Sequence, residues 1–563
     1  MEKRVLVAIV LSFLVLVLYQ LLFMKKPQQP VTPAVSAIES EKKPGQQIYG
    51  KETLPPTKTP QAKELAEDKR APQQISAQTE KQILIDTSLY QAVWSNKGGV
   101  LKSWKLKKHK NEEKEDLELV PLHSSDLNTY PFSLRTDDSS FDNTINSVFY
   151  QSSNLNLELK EGQTGEVRLL YADNEGTRVE KILTFQGGKY DFDVQINVWK
   201  YGQKIEPGVL WGPGFGNPSS SELKQQRFGG GQGMAVFPTP KVKRLDERKF
   251  IQKNKWESLV IKKENVFYFV QWAAYENNYF TALFITSFQD ASATFLREGP
   301  EEAPHFLLSV SSPQKVYIGP KDFDSLVEFG FQTKRLIRFG LFGFISEILL
   351  RASKFIHRIV PNWGLSIIIL TLIIKIIFFP LTYSSMRSMA KMQELQPKIK
   401  ALRAKYKKSK TDIAQRRKMN EEVMRLYKEQ GVNPAGGCLP MLIQIPVFWG
   451  FFRLLIVAIE FRHSPFIFWI TDLSVKDPFY VTPILMGLTQ FISQKMTPTS
   501  ADPAQTRMML IMPFVFTFIF MSFPSGLVLY WLTNNVLQIG QQYIMNRLKQ
   551  KKKRESHGKR RKK

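Results

Sequence analysis

The chain has 563 residues, 78 lysines and arginines against 51 aspartates and glutamates, a formal net charge of +27, and 43% hydrophobic residues. Its single cysteine, Cys438, excludes an intramolecular disulfide, and its six histidines do not have the spacing of a zinc site. The sequence contains no G-x-x-x-x-G-K-[ST] loop for binding nucleotide phosphates. We therefore predict a protein that is not an enzyme, with no catalytic residues, no metal site and no cofactor.

The N-terminal residues 5–24 carry no charge and are long enough as a helix to cross about 30 Å of hydrocarbon. A cleaved signal peptide is the alternative, but the apolar part is long and no A-x-A site follows it. We predict a transmembrane anchor over residues 1–24. Residues 25–82 are rich in Pro, Gln, Lys and Glu and poor in aromatics, which predicts a flexible linker.

Residues 83–334 have the period-two alternation that is typical of β-strands. The best example follows a Gly187-Gly188 turn and consists of Tyr190, Phe192, Val194, Ile196 and Val198. This pattern predicts one large all-β sandwich. The next residues, 335–360, mix apolar side chains with five basic ones, which predicts an amphipathic helix in the headgroup region of a membrane.

Five further apolar segments complete a prediction of six transmembrane helices. Helices two to six are predicted at residues 361–383, 433–460, 478–495, 508–523 and 524–546. They are connected by a helical hairpin at 384–432, in which Pro397 marks a first turn, and by loops at 461–477 and 496–507. A basic tail occupies residues 547–563.

The distribution of basic residues predicts the topology. The hairpin holds fourteen Lys and Arg against five acidic residues, and the tail holds eleven against one. Basic residues close to membrane spans stay on the cytoplasmic side. We therefore predict that the hairpin, the 496–507 loop and both termini are cytoplasmic. The β domain and the 461–477 loop are predicted on the opposite, periplasmic side.

Lys375 is the candidate functional residue with the clearest signal. It is the only charge between Trp363 and Thr382, and no acidic residue lies in the core of another predicted span. An ammonium at mid-span costs about 2.5 to 3.5 kcal/mol on insertion scales. Snorkelling of the lysine to the membrane surface is the alternative. The missing partner and the polar neighbours favour a cationic site in a water-accessible groove.

Other polar side chains at the depth of the spans are predicted to line this groove or to form hydrogen bonds between helices. The candidate lining residues are Gln444, Gln490, Gln494, Asn534 and Asn535.

Four short motifs carry a family resemblance: SMAKM at 388–392, NPAGGCLP at 433–440, QIPVF at 444–448 and FPSGLVLYW at 523–531. With them the chain resembles the YidC membrane-protein insertases of Gram-negative bacteria, within the wider Oxa-type family, over essentially its full length. The resemblance implies a bacterial inner-membrane location and a five-helix core around a hydrophilic groove.

In that family a basic residue, usually Arg, lies in the groove and attracts acidic client segments, and Lys375 falls at its position. Lysine keeps the charge but lacks the planar fork of a guanidinium. Thr371, Trp531 and Tyr530 fall at positions that the resemblance implies for client contact. Trp531 is a partial match, because the family usually has Tyr there.

The resemblance implies an insertase and chaperone that inserts and helps fold integral membrane proteins, alone or with the Sec translocon. The implied partners are nascent membrane-protein clients, the Sec translocon, the lipid bilayer, and the ribosome through the basic hairpin and tail. A secondary transporter with a cationic mid-membrane site is the main alternative, and it predicts inverted repeats. A membrane-anchored binding protein that acts through its β domain is a second alternative.

Overall fold

A computed structural model describes residues 74–216, 231–247, 264–300, 304–406, 412–432, 439–497 and 503–561, without the side chains of 439–442, 503–509 and 549–561. The predicted anchor at 1–24 and most of the predicted linker at 25–82 lie outside the described residues. So do residues 433–438 of the NPAGGCLP motif and the centre of the predicted 496–507 loop.

Twenty strands lie within the described part of the chain. In chain order they are β1 (Gln82–Thr87), β2 (Tyr90–Ser95), β3 (Val100–Lys110), β4 (Asp116–Glu118), β5 (Leu134–Arg135), β6 (Gln151–Ser152), β7 (Asn156–Leu159), β8 (Thr164–Ala172), β9 (Arg178–Gln186), β10 (Asp191–Lys200), β11 (Gln203–Ile205), β12 (Gly208–Trp211), β13 (Gly233–Phe237), β14 (Lys243–Asp246), β15 (Glu264–Tyr268), β16 (Trp272–Glu276), β17 (Phe280–Thr286), β18 (Ser292–Glu298), β19 (His305–Ser311) and β20 (Pro313–Pro320).

These strands form three sheets, whose orders are β4-β3-β2-β1-β7, β14-β13-β16-β17-β20-β10-β9-β8-β6 and β15-β18-β19-β12-β5. Strand β11 pairs with β10 beside the second sheet, and β1 pairs with β7 in parallel. The inner faces share one apolar core, in which Tyr90 stacks on Trp104 with ring centroids 4.0 Å apart. The predicted β-sandwich is therefore confirmed.

The alternation in β10 explains its place in this sandwich. Phe192, Val194 and Val198 are buried in the core, while the residues between them face outwards or are half-buried. Two short helices, α1 (His123–Asp126) and α2 (Ser139–Ser147), interrupt the strands. The side chain of Asp138 caps α2 by accepting hydrogen bonds from the backbone N–H groups of Ser140 and Phe141. The domain thus contains helical turns that its alternation pattern does not predict.

After β20 the chain forms α3 (Phe323–Phe329), a 3₁₀ turn at Thr333–Leu336 and α4 (Gly343–Ile359). The predicted amphipathic helix at 335–360 therefore begins eight residues later than expected, since the chain first turns through Gly340 at φ +78°.

Three of the five basic residues of this segment contact other parts of the protein. Arg335 donates to the backbone oxygen of Pro240, and Arg338 and Lys354 form ion pairs. The outer face of α4 remains apolar and exposed, with Phe344, Phe355 and Ile359 on it.

The helical region continues with α5 (Trp363–Ile377), α6 (Phe379–Glu394), α7 (Gln396–Lys405), α8 (Ile413–Glu429), α9 (Leu439–Val457), α10 (Val481–Met496), α11 (Pro503–Phe520) and α12 (Ser525–Arg561). Within the described residues, no individual helix has both the length and the hydropathy needed to cross a bilayer. The bent pair α4 and α5, whose axes differ by 119°, meets both criteria together.

The basic segment at 384–432 contains α7 and α8 packed against each other. Pro397 lies in the first turn of α7, where its missing N–H leaves no hydrogen bond unmade. A small separate core joins these helices to the end of α6 and contains Met392, Leu395, Ile399 and Tyr427. This hairpin therefore packs on itself.

A second large core joins the β domain to the helices. It extends from Trp272 and Leu283 in the sheet, through Leu326 and Leu336, to the buried faces of α4, α5, α9, α10 and α12. The outer face of the ten-stranded sheet and the helical region therefore share one continuous apolar interior.

Candidate functional site

The candidate site lies between the C-terminal end of α5 and the first half of α12. The side chain of Asn362 caps α5 by accepting a hydrogen bond from the backbone N–H of Leu365. Near the start of α12, Gly526 allows close packing, because an added Cβ would lie 2.9 Å from Leu455 and 3.4 Å from Ile367. The close approach of Gly526 to Ile367 brings α12 and α5 together about two turns from Lys375.

Lys375 is half-buried and donates two hydrogen bonds to side-chain amides of α12. Its Nζ lies 3.0 Å from Oδ1 of Asn534 and 2.9 Å from Oε1 of Gln538. The two acceptors are four residues apart, so they lie on one face of the helix about 6 Å apart along its axis. Among the residues that the structure describes, no carboxylate forms an ion pair with Lys375. The amide oxygens therefore hold the ammonium without neutralising its charge.

The predicted client-contact residues differ in accessibility. Thr371 is 1% exposed, and its hydroxyl donates to the backbone oxygen of Ile367 at 2.6 Å. Tyr530 is fully buried, stacks on Phe451 with ring centroids 4.4 Å apart, and accepts a hydrogen bond from Nε2 of Gln444. Thr371 and Tyr530 therefore face the packed interior of the bundle in this conformation.

Trp531 is half-buried, and its Nε1 donates to Oε1 of Gln490 at 3.2 Å. Its ring lies in an aromatic cluster with Phe448, Phe516 and Phe520, at centroid distances of 5.2, 6.3 and 5.5 Å. The indole thus has one polar contact on α10 and an apolar environment on its other sides.

The remaining predicted lining residues do not all meet at one surface. Asn535 is buried and donates to the backbone oxygen of Met486 at 3.2 Å, so it ties α12 to α10. Gln494 is half-buried near the end of α10. Asn534 alone among the five contacts Lys375.

Gln538 is one of the polar side chains within the predicted spans, but it is not among the five candidate lining residues. Its signal is its spacing, since it lies one helical turn after Asn534 on the same face of α12. Spacing alone does not show which helix this face meets, so the pairing with Lys375 is evident only from the structure.

Two ion-pair clusters lie at the junction of the β domain and the helices. Glu276 is fully buried and contacts Lys321, Arg338 and Arg244 at 2.8, 2.7 and 3.2 Å. Burial alone would raise the pKa of Glu276, but these three cations outweigh it and hold the pKa well below its usual range. The cluster fixes Arg338, five residues before α4, against the end of β16.

The second cluster surrounds Lys354 on α4. Its Nζ lies 3.0 Å from Asp322, 2.7 Å from Asp324 and 3.0 Å from Glu460. Because Asp322 is the N-cap of α3 and Glu460 follows α9, one ammonium joins three parts of the chain. Within the described residues, α4 is therefore held both by the β domain and by the helices.

Comparison with known proteins defines the class to which this architecture belongs. Residues 82–352 match the family profile described as "YidC periplasmic domain", and residues 355–553 match the one described as "60Kd inner membrane protein". The chain is thus an inner-membrane protein with a large periplasmic domain. It belongs to the YidC membrane protein insertase family.

Two relatives illustrate the extent of the match. The membrane protein insertase YidC of Syntrophus aciditrophicus is 37% identical over 97% of this chain and 100% of its own length. That of Geobacter metallireducens is 36% identical over 97% and 98%. A solved structure, an active YidC insertase with its first transmembrane domain resolved, is 20% identical with a TM-score of 0.35, covering 84% of this chain and 95% of that one.

Proposed function

We propose that this chain inserts membrane proteins through a hydrophilic groove in which Lys375 attracts acidic segments of the client. The observation that supports the proposal is the pairing of the ammonium with two neutral amide oxygens. Neutral acceptors do not cancel the positive electrostatic potential of the cation. The cation therefore lowers the free-energy cost of bringing a carboxylate into a weakly polar region. Partitioning of the client's apolar segment into lipid then supplies the driving force, without nucleotide hydrolysis.

The proposed topology has six spans. The first is the anchor at 1–24, and the others are built around α5, α9, α10, α11 and the first part of α12. The hairpin, the 496–507 loop and both termini are cytoplasmic in this proposal, since the basic residues concentrate there. The apolar outer face of α4 lies on the periplasmic surface of the bilayer.

The proposed partners follow from charge and family membership. Clients are nascent membrane proteins, which the chain inserts and helps to fold, alone or with the Sec translocon. The basic hairpin of α7 and α8 and the basic end of α12 are suited to contact ribosomal RNA, because clustered Lys and Arg attract polyanions. Thr371, Tyr530, Trp531 and the polar residues near them contact the client once the helices separate.

The test compares Lys375→Glu with Lys375→Arg in an insertion assay that uses a client with an acidic translocated tail. We expect Lys375→Arg to retain insertion. Lys375→Glu should lower it by about tenfold or more, because bringing like charges together costs several kcal/mol. Protease protection of the tail in membrane vesicles gives the inserted fraction. Equal insertion by the two variants would refute the electrostatic role of Lys375.

A matched client in which the tail acids are changed to Asn and Gln serves as the control. Its insertion should be similar in the two variants. A loss of both clients in Lys375→Glu would indicate a damaged bundle and would be checked against the level of folded protein in the membrane.

A further inference from the structure

Lys375 donates its hydrogen bonds to two neutral side-chain amides, an arrangement that its charge alone does not require. Both of its hydrogen-bond acceptors are amide oxygens on one face of α12, at 3.0 and 2.9 Å. An ammonium has three N–H donors; within the described residues two of them are occupied, which leaves one for a ligand. The two acceptors also fix the direction of a side chain that otherwise has several rotatable bonds.

We propose that Asn534 and Gln538 are positioning residues, which hold the Lys375 ammonium towards α12 and leave its charge and one N–H donor for a client carboxylate. This inference rests on the proposed function and assigns a role to Gln538 that the charge pattern does not. The choice of neutral acceptors is essential to it. A carboxylate at either position would form an internal ion pair and compete with the client.

This arrangement has a consequence for client specificity. With its third donor, Lys375 donates a single hydrogen bond to a carboxylate and does not require the bidentate geometry of a guanidinium site. Client tails with isolated Asp or Glu residues should therefore be inserted with similar efficiency. Tails without acidic residues gain nothing from the site.

The decisive variants place a carboxylate beside the ammonium. We expect Gln538→Glu and Asn534→Asp each to lower insertion of an acidic-tailed client by about tenfold, which corresponds to about 1.4 kcal/mol. Insertion of the neutral-tailed client should fall much less than that of the acidic-tailed client, because a neutral tail does not use the cation. Asn546→Asp is the matched control: it adds a carboxylate to an exposed position of the same helix, two turns further on, and should insert both clients normally.

Moving the positive charge from residue 375 to residue 538 tests the position of the cation without adding a carboxylate. Lys375→Gln should lose insertion of the acidic-tailed client, and the double variant Lys375→Gln/Gln538→Lys should recover most of it. The exchange returns the cation to the same contact from the opposite helix. If the position of the cation at this contact is what matters, the double variant recovers. An unrecovered double variant that is present in the membrane at normal levels therefore contradicts the proposal.

The inference and the proposed function fail in different ways. If Lys375→Gln inserts the acidic-tailed client normally, the electrostatic function itself is wrong. If Lys375→Gln is defective but Gln538→Glu and Asn534→Asp both insert that client normally, only the positioning role is refuted.

Discussion

Lys181 shows at the scale of one residue how a charge is accommodated inside the β-sandwich. It occupies an inward position of β9, between Val179 and Leu183, and is fully buried. Its Nζ donates to the backbone oxygens of Gly98, Gly99 and Phe132 at 2.8, 3.0 and 2.8 Å. Three carbonyls match the three donors of an ammonium, so the side chain ties two loops to the sheet.

Burial lowers the pKa of Lys181 to about 7, from an ordinary value of 10.5. Between these values the unfolded chain binds more protons at this residue than the folded chain, so the free energy of unfolding rises with pH. The expected slope is about 1.4 kcal/mol per pH unit. We predict that hydrogen exchange of β9 amides, corrected for intrinsic rates, reports increasing stability from pH 7.5 to 9.0.

Lys181→Met is the control for this prediction. Lys321 also has a pKa lowered by burial, to about 8, and contributes a slope of its own in the same range. Subtraction of the Lys181→Met profile from that of the wild type isolates the contribution of Lys181. Identical pH slopes in the two proteins would show that Lys181 does not titrate in this range.

The environments of Lys375, Gln538 and Lys181 can be predicted from the sequence to different extents. That no carboxylate pairs with Lys375 among the described residues agrees with the sequence, since the predicted spans contain no acidic residue in their cores. The roles of Gln538 and Lys181 do not follow, because each depends on which backbone or helix face lies opposite. The sequence does carry a signal for the burial of Lys181, because this lysine occupies an apolar position in the alternation of Val179, Leu183 and Phe185.

At the scale of elements, α10 and α11 illustrate close helix packing. A Cβ added to Gly487 of α10 would lie 1.9 Å from Oγ1 of Thr517 on α11, and that hydroxyl already donates to the backbone oxygen of Pro513. Small residues at such contacts let helices approach where lipid offers no hydrophobic driving force. The short separation between these helices therefore depends on the absence of one side chain.

We predict that Gly487→Ala destabilises the helical region by about 1 to 3 kcal/mol, because the added methyl must push α10 and α11 apart. Gly540→Ala on α12 is the matched control. A Cβ at Gly540 meets no atom within 4 Å, and alanine favours helix by about 1 kcal/mol. Denaturant titration in detergent, followed by helical circular dichroism, should separate the two variants; equal midpoints would contradict the packing argument.

Element boundaries were less predictable than element types. The amphipathic character of 335–360 predicts a helix but not its start at Gly343, because Arg335 and Arg338, which precede it, contact the β domain. Period-two alternation identified the sandwich, yet it did not give the strand order. That order brings β20 between β10 and β17, and this pairing depends on contacts far apart in sequence.

At the scale of the whole molecule, the segment from α3 to α4 joins the β domain to the helices. Ser346 of α4 donates to the backbone oxygen of Gly450 on α9 at 3.1 Å, and Leu349 packs against the same glycine. This segment contributes to the apolar core that both regions share. It is therefore part of the support of the helical bundle as well as a connection to the sheets.

We predict that deletion of residues 83–320, which removes the sheets and keeps α3 and α4, preserves insertion of an acidic-tailed client within about threefold. Such a change is smaller than the tenfold change that corresponds to about 1.4 kcal/mol. The longer deletion of 83–359 should abolish insertion, since α5 and α9 lose the helix that packs against them. Protease protection of the client tail measures both variants, and membrane levels of each protein provide the control. Loss of insertion in the shorter deletion, at normal membrane levels, would instead assign an essential part of the process to the β domain.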